Sequence, residues 1–246
     1  MSLSGKVAII TGGSKGIGKA IAQRLASDGA FVVINFSSDA PAAEQTVKEI
    51  GADKAYSVQA DVGSVDGVDK LVKATVDKFG KVDVVVPNAG IMWMKTVASA
   101  SEADFDRMFA LNVKGPYFLA QKAVPHMGPG GRIIFVSTGI NRATTVMPPY
   151  TLYAATKGAI DQMTRTMAKD LASKGINVNA IAPGPTETEL FMNGKSEALV
   201  EGIKKSSPFN RLGQPGDIAN AVAFLCGQDS NWVAGQVLHT NGGAFV

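Results

Sequence analysis

The chain has 246 residues, of which 46% are hydrophobic and 18% charged, and its net charge is +3 at pH 7. No apolar stretch reaches the ~18–20 residues that a membrane-spanning helix needs, so an integral membrane protein is not expected. The one cysteine, Cys226, excludes an intramolecular disulfide and a cysteine-based metal site, and His126 and His239 lie too far apart in sequence to suggest a histidine metal centre. The cationic side chains are scattered, which argues against a nucleic-acid-binding surface.

The expected location is the cytoplasm. The first six residues show none of the architecture of a signal peptide, and a lone cysteine suits a reducing compartment. The length allows one large α/β domain or two small ones.

A glycine-rich segment follows the first apolar run, residues 6–10, which has the character of a buried parallel strand. An amphipathic helix with Ile17, Ile21 and Leu25 on one face comes next, and then a second apolar run, residues 31–35. A strand, glycine turn, helix and strand within about thirty residues are the context in which a backbone approaches a pyrophosphate closely. This pattern predicts a dinucleotide-binding unit, the alternative being a tight turn whose glycines serve geometry alone. The predicted phosphate contacts are Gly12, Ser14, Lys15, Gly16, Ile17 and Gly18.

Helices and strands continue to alternate along the rest of the chain. Further helices are predicted at 41–50, 65–79, 102–126, 150–173 and 215–225, and further strands at 55–60, 82–86, 131–138, 176–181 and 235–238. Nothing in the sequence marks a domain boundary or an internal repeat. Seven strands alternating with helices predict one doubly wound α/β domain over 1–246, with a seven-stranded parallel sheet and helices on both faces.

Tyr153 and Lys157 are four residues apart in a predicted helix, so they share one face about one turn (~5–6 Å) from each other. A free phenol, with a pKa near ~10, is a poor acid or base at neutral pH. A fixed ammonium beside it favours the phenolate and lowers that pKa towards the range of efficient acid–base catalysis. Most such pairs are surface decoration, so the prediction of a catalytic pair depends on the other motifs in the chain.

Those motifs resemble the short-chain dehydrogenase/reductase family. The spacing Gly12-x-x-x-Gly16-x-Gly18 departs from the common G-x-G-x-x-G pattern and resembles the nucleotide motif of that family, and Tyr153-x-x-x-Lys157 resembles its active-site motif. Further similarities follow in the family order and span nearly the whole chain. The resemblance implies a Rossmann-type fold and a nicotinamide cofactor.

The resemblance also implies further cofactor contacts. Asp61, beside Val62, would contact the adenine amino group, although it could equally be an ordinary helix N-cap. Residues 87–90 resemble the segment that lies beside the adenosine ribose, and residues 183–188 resemble the segment that holds the nicotinamide carboxamide. The contacts implied in these two segments are Asn88, Ala89, Gly90, Pro183, Gly184, Thr186 and Thr188.

Asn112 fits the family position at which an asparagine bends the long helix and holds a water in a proton relay behind the lysine. A helix-interior asparagine that bonds neighbouring backbone is the plainer interpretation, and the two roles are compatible.

The family places a catalytic hydroxyl at the end of the fifth strand, where this chain has Ser137 and Thr138. Successive side chains on a strand point to opposite faces, so only one of the two can face the substrate. The register counted from Arg132 favours Thr138, with Ser137 as the alternative. The resemblance then implies that Tyr153 donates a proton to a carbonyl oxygen, that the hydroxyl bonds the same oxygen, and that Lys157 lowers the Tyr153 pKa and binds the nicotinamide ribose. No metal is needed for this chemistry.

Charge at the end of the second strand predicts which cofactor binds. NAD-preferring relatives carry an acid there, whereas this chain has Asn35, Phe36, Ser37 and Ser38, with the first acid at Asp39. Hydroxyls, backbone N–H groups and Lys15 would attract a 2′-phosphate. NADP(H) is therefore the predicted cofactor, unless the loop folds Asp39 inwards.

The substrate side is rich in bulky apolar groups, which suggests a hydrophobic or aromatic small-molecule ketone. Core or subunit-contact roles explain these side chains as readily. The predicted pocket residues are Trp93, Met94, Gly139, Met147, Tyr150, Phe191 and Met192. A polar, glycine-containing stretch, about 186–207, is expected to be a mobile substrate lid.

Three functions remain open from the sequence. The closest resemblance is to the branch that reduces polyketide-type and naphthol ketones, with the branch reducing 3-oxoacyl chains on a carrier protein as the near alternative, although no basic docking patch is evident. A non-catalytic, NADP(H)-sensing binding protein is a third hypothesis, but such proteins usually lose the tyrosine or the lysine. The resemblance also implies a homo-oligomer, a tetramer formed through the helices of Asn112 and Tyr153, with Phe118, Ile160, Met163 and Met167 as apolar surface and residues 244–246 as a further contact.

Overall fold

Seven strands form one parallel sheet in the computed structural model, which describes residues 2–245. The strands are β1 (Val7–Ile10), β2 (Phe31–Phe36), β3 (Ala55–Gln59), β4 (Val84–Val86), β5 (Arg132–Val136), β6 (Asn177–Pro183) and β7 (Val237–Thr240). Their order in the sheet is β3-β2-β1-β4-β5-β6-β7. The chain therefore changes direction between β1 and β4, and ligands of open α/β sheets bind outside the strand ends at such a switch point.

Helices cover both faces of this sheet. They are α1 (Gly16–Ser27), α2 (Ala40–Ile50), α3 (Val65–Phe79), α4 (Glu102–Phe109), α5 (Gly115–Ala123), α6 (Thr151–Leu171), α7 (Glu189–Met192), α8 (Glu197–Ser206) and α9 (Pro215–Cys226). Alternate strand residues feed two cores: Ile10 packs with α1 and α9, whereas Ile9 packs with α3, α5 and α6. This arrangement explains the near-continuous apolar runs in the sequence, and the predicted doubly wound parallel sheet is confirmed.

The helix predicted at 102–126 is one helical run with an irregularity in its middle. Between α4 and α5, residues Ala110–Lys114 form a π-helical turn in which the Gly115 N–H bonds the Ala110 carbonyl. Pro116 has no N–H to donate to the carbonyl of Asn112, four residues earlier, which favours the wider turn at this point. The wide turn contains Asn112, the residue predicted to bend the helix.

None of the helices in residues 2–245 combines the length and the apolar composition needed to cross a membrane.

Candidate active site

A cleft of about 1290 Å³ opens at the carboxyl ends of the strands. Its wall combines the segments that follow β1, β4, β5, β6 and β7 with residues of α6, α7 and α8. Most of the predicted cofactor residues lie on this wall. They are Gly12, Ser14, Lys15, Gly16, Ile17, Gly18, Asn88, Ala89, Gly90, Tyr153, Lys157, Pro183, Gly184, Thr186 and Thr188.

Two glycines give the loop after β1 its shape. Gly12 has a φ of 61°, a left-handed conformation that side chains disfavour. A Cβ at Gly18 would lie 2.2 Å from the Gly12 carbonyl oxygen and 2.6 Å from Asn88 Nδ2, so no larger residue fits without moving backbone. Asn88 in turn donates its amide to the Thr11 carbonyl at 2.9 Å, which ties the loop to the end of β4. The backbone here is built for close approach, as the glycine spacing predicts.

Lys15 joins this loop to two other segments of the cleft. Its Nζ lies 2.7 Å from Asp39 Oδ2 and 3.4 Å from Glu189 Oε2, in the first turn of α7. The Asp39 side chain also accepts the Ala42 N–H and so caps α2. The hydrogen bond from Lys15 lowers the pKa of the Asp39 carboxyl. Asp39 thus pairs with Lys15 of the cleft wall but does not itself line the cleft.

The other predicted contacts at the ends of β2 and β3 do not line the cleft: Asn35, Phe36, Ser37, Ser38, Asp61 and Val62. The Asn35 side chain is buried and donates to the carbonyl of Ala60 at 2.9 Å, so it braces the end of β3 and is not directed at a ligand. Asp61 accepts the Gly63 N–H and pairs with Arg107 at 3.0 Å, and these contacts lower the pKa of its carboxyl. Ser64, not Asp61, caps α3.

Tyr153 and Lys157 both face the cleft from one side of α6. Lys157 Nζ donates to the Val136 carbonyl at 2.7 Å and lies 5.8 Å from the centre of the Tyr153 ring. Burial lowers the pKa of Lys157 to about 8, against an opposing effect of the Asp161 charge. Burial raises the pKa of Tyr153 to about 12, and its hydrogen bond with Thr138 acts in the opposite direction.

Burial opposes the lowering of the Tyr153 pKa by Lys157 that their spacing predicts, and that lowering stays a prediction. Loss of hydration destabilises the phenolate more than nearby groups stabilise it. Lys157 also donates one of its hydrogen bonds to the Val136 carbonyl and not to the phenol. Tyr153 is consequently a protonated phenol at neutral pH.

Ser137 and Thr138 differ sharply in their surroundings. The Ser137 hydroxyl donates to Asp161 Oδ1 at 2.5 Å, so its single proton is engaged. The Thr138 hydroxyl accepts the Ile140 N–H at 3.4 Å and donates towards the phenol of Tyr153, which lines the cleft, so its proton is not held by a carboxylate as that of Ser137 is. This geometry supports Thr138 as the hydroxyl beside the reacting group.

Asn112 is fully buried behind the catalytic pair. Its Oδ1 accepts the Ile91 N–H at 2.9 Å, and its Nδ2 donates to the Ile91 carbonyl at 2.9 Å and to the Thr156 hydroxyl at 3.2 Å. The side chain therefore fastens the loop after β4 to the long helix and to α6. This is the backbone-bonding role that the sequence left open; the water-holding role stays a prediction.

The predicted substrate residues divide into two groups. Met147, Tyr150 and Phe191 line the cleft, whereas Trp93, Met94, Gly139 and Met192 do not. Several apolar residues of the wall escaped the sequence analysis, because their helices or loops reach the cleft only through tertiary packing. They are Ile140, Phe209, Leu212 and Phe245, while Leu199 and Ile203, which also line the cleft, belong to the predicted lid.

Phe245 contributes to the cleft of its own chain. A Cβ at Gly139 would lie 2.7 Å from its ring, and the Asn241 side chain donates to the Phe245 carbonyl at 2.9 Å. Residues 244 and 245 line the pocket, and the contact between subunits expected for residues 244–246 stays a prediction. Val246 lies outside the described residues.

Comparisons with known proteins show the family of this chain. Residues 12–244 match a family model described as enoyl-(acyl carrier protein) reductase. The chain is 40% identical to versicolorin reductase of Emericella nidulans, over 99% of this chain and 97% of that protein. It is 39% identical to a probable tetrahydroxynaphthalene reductase of Zymoseptoria tritici, over 99% and 96% of the two chains.

A solved structure resembles the whole chain. A short-chain dehydrogenase from Burkholderia cenocepacia, crystallised in complex with NADP, superposes with a TM-score of 0.94 at 34% identity and covers 100% of both chains. The glycine loop, the Tyr153–Lys157 pair and the extent of these similarities lead to one conclusion. The protein belongs to the short-chain dehydrogenase/reductase family.

Proposed function

We propose that this protein is an NADPH-dependent carbonyl reductase that converts a hydrophobic or aromatic ketone into a secondary alcohol. As a member of its family it is an oxidoreductase that acts on carbonyl or hydroxyl groups. The observation that carries the proposal is the meeting of Tyr153, Thr138 and Lys157 in the same cleft as the glycine loop. A non-catalytic sensor of NADP(H) would not need all three side chains.

The cleft fits a dinucleotide phosphate. Gly12 and Gly18 leave the backbone of the loop bare, and the N-terminus of α1 begins there, so a pyrophosphate can meet N–H groups directly. Lys15, whose Nζ pairs with Asp39 in the loop after β2, is the candidate for the 2′-phosphate, with Lys157 on the ribose and Thr186 and Thr188 on the carboxamide. The NADP complex of the Burkholderia relative supports the choice of cofactor. When bound, NADPH supplies the hydride for the carbonyl carbon.

The side chains of the cleft manage the proton and the charge. Tyr153, with a pKa of about 12, is protonated at neutral pH and donates its proton to the carbonyl oxygen. Thr138 donates a second hydrogen bond to the same oxygen while negative charge develops there. Lys157 contributes positive charge beneath the phenol, and Asn112 links this group of residues to the loop after β4. None of these steps requires a metal ion.

The wall of the cleft carries bulky apolar side chains that suit an apolar substrate. Ile140, Met147, Phe191, Phe209 and Phe245 line the same cleft as Tyr153. Two relatives that are similar to this chain over nearly its full length are named versicolorin reductase and probable tetrahydroxynaphthalene reductase, and the second name denotes a polycyclic hydroxyaromatic compound. A hydroxyaromatic ketone is accordingly the proposed substrate class. Reduction of a 3-oxoacyl carrier-protein thioester is the competing assignment.

The segment of about 186–207, which contains α7 and α8, is proposed to act as a lid. Leu190, Phe191, Leu199 and Ile203 form one side of the cleft, so movement of these short helices would open it to substrate. The proposed location is the cytoplasm, which the single buried cysteine supports.

A cofactor and ketone panel tests the proposal. Loss of NADPH absorbance is measured with hydroxynaphthalenone-type ketones, simple aliphatic ketones and a 3-oxoacyl thioester. We expect turnover with NADPH and the aromatic ketones. Lys15→Ala should raise the KM for NADPH about tenfold or more while changing that for NADH little, because a charge-assisted contact contributes about 1.5–3 kcal/mol.

Lys48→Ala, which removes a lysine from the exposed face of α2, is the matched control and should leave both constants unchanged. Faster turnover of the thioester than of any aromatic ketone would reject the substrate class. Equal use of NADH and NADPH by the wild type would reject the cofactor preference.

We also propose a homotetramer. Phe118, Met163 and Met167 are only partly buried against the core beneath α5 and α6, so they leave apolar surface, whereas Ile160 is fully buried and belongs to the core. Light scattering should return four times the mass of one chain. Replacing Met163 and Met167 together by lysine should shift this mass downwards, and a monomeric wild type would contradict the proposal.

A further inference from the structure

Asp161 is a carboxylate on the catalytic face of α6 that the proposed chemistry does not use. It follows Tyr153 by eight residues and Lys157 by four, so the three side chains lie in one row along the helix. The row runs from the phenol, through the ammonium, to the carboxylate. Asp161 is therefore next to Lys157 along the helix, and its hydrogen-bond partners lie near the catalytic hydroxyl.

Both oxygens of Asp161 bind the segment that carries Thr138. Oδ1 accepts the Ser137 hydroxyl at 2.5 Å, and Oδ2 accepts the Asn141 side-chain amide at 2.7 Å. Ser137 immediately precedes Thr138, and Asn141 lies three residues after it. Hydrogen bonds to an ionised carboxylate are among the strong ones in proteins. One carboxylate therefore fastens both sides of Thr138 to the helix that carries Tyr153.

Lys157 holds the same segment one residue earlier. Its Nζ donates to the Val136 carbonyl at 2.7 Å, and Val136 is the last residue of β5. The end of β5 is thus bound to α6 at two consecutive residues, by Lys157 at Val136 and by Asp161 at Ser137. The negative charge of Asp161 also opposes the effect of burial on Lys157, because it raises the pKa that burial lowers to about 8.

We propose that Asp161 is a positioning residue for carbonyl reduction. It holds Thr138 at the spacing from Tyr153 that lets both hydroxyls reach one substrate oxygen, and its charge favours the ammonium form of Lys157. The proposal deepens the reductase function and rests on it.

Other charged and titratable groups face this row. Tyr150 lies just before α6, with its ring centre 6.5 Å from that of Tyr153, and burial raises its pKa. Arg142, in the turn after Thr138, and His239, on β7, act on the same region. Burial, together with Arg142, lowers the pKa of His239 below its usual range, with Asp161 acting in the opposite direction. His239 is consequently neutral near pH 8, the region in which we expect the loss of a proton from Lys157 to limit activity.

The test is Asp161→Asn, which keeps the size of the side chain and one acceptor but removes the charge. We expect kcat for ketone reduction to fall about tenfold or more, since a charge-assisted contact is lost. The alkaline limb of the kcat/KM profile should move to lower pH by about half a unit to one unit, because removing a negative charge destabilises the ammonium of Lys157. Asp161→Glu keeps the negative charge, so its alkaline limb should lie closer to that of the wild type.

Asp170→Asn is the matched control, since Asp170 is an exposed acid on the same helix. It should change neither kcat nor the limb. The titration of Lys157, followed by NMR in protein labelled with 13C-lysine and assigned with Lys157→Arg, reports the same charge effect without turnover. Its midpoint should fall in Asp161→Asn and stay constant in Asp170→Asn.

Three outcomes overturn the proposal. One is an Asp161→Asn enzyme with wild-type kcat and limb, and another is a Lys157 midpoint that does not move. The third is a drop in melting temperature and kcat with an unchanged limb, which would make Asp161 merely structural. Failure of the wild type to reduce any ketone counts against the proposed function instead, and the NMR midpoint still decides the role of Asp161.

Discussion

Replacing Tyr153 by phenylalanine is expected to lower kcat for ketone reduction by about 10²- to 10⁴-fold, the range that a positioned general acid contributes. The ring would still fill its place in the cleft, so the loss would isolate the hydroxyl. Cofactor binding, measured by NADPH fluorescence, should change little, because the glycine loop and Lys15 are untouched. Single-turnover rates at saturating NADPH and ketone are the measurement.

Tyr117→Phe provides the comparison for this change. Tyr117 is an exposed tyrosine on α5 and packs edge-on against Phe118, away from the cleft wall. Its loss of a hydroxyl should leave the rate within twofold. If Tyr153→Phe and Tyr117→Phe retained equal rates, Tyr153 would have no part in the chemistry and the reductase mechanism would fail with it.

The spacing of motifs predicted the parts of the site that depend on local structure. Glycines spaced like Gly12 and Gly18 allow a tight turn between a strand and a helix. Residues four apart share one face of a helix in any protein. Tyr153 and Lys157 accordingly reach the cleft as expected. The sheet was equally accessible, since strands buried on both faces leave continuous apolar runs such as residues 31–35.

Contacts between segments that are distant along the chain could not be predicted from the sequence. The alternation of strand side chains allowed either Ser137 or Thr138 to be the catalytic hydroxyl. The choice depends on Asp161, which lies 24 residues after Ser137 and accepts the hydrogen bond of its hydroxyl. Asn35 was predicted to contact the cofactor because it is polar and lies at the end of β2. Its side-chain amide instead donates to the carbonyl of Ala60, just after the neighbouring strand β3. Phe245 reaches the pocket only because the chain folds back after β7.

The same limit applies to the protonation states. Spacing alone suggested that Lys157 would acidify Tyr153, whereas burial dominates both groups and moves the two pKa values in opposite directions, to about 12 for the phenol and about 8 for the ammonium. Desolvation depends on everything packed around a group, so no local pattern reports it. In this state the phenol holds the proton that reduction requires, while burial makes it a weaker acid than a free phenol.

Thr138→Val should lower kcat by about 10²- to 10³-fold, the cost of removing one donor to a developing oxyanion. Valine keeps the branched shape of threonine, and Thr138 has an extended backbone, φ −154° and ψ 146°, which valine adopts readily. The change therefore removes the hydroxyl and its contact with the Ile140 N–H while keeping the shape of the side chain. Thr138→Ser, which restores the hydroxyl, should recover most of the rate, as measured by steady-state NADPH oxidation.

Ser137→Ala distinguishes the two candidate hydroxyls. The Ser137 hydroxyl already donates its hydrogen bond to Asp161. Removing this hydroxyl should therefore loosen the end of β5 and lower kcat about tenfold at most, without the larger loss expected for Thr138→Val. The KM for the ketone should also separate them, since only Thr138 is proposed to touch the substrate oxygen. A larger loss in Ser137→Ala than in Thr138→Val would reverse the assignment, and it would require the Ser137 hydroxyl to leave Asp161 and turn towards the substrate during the reaction.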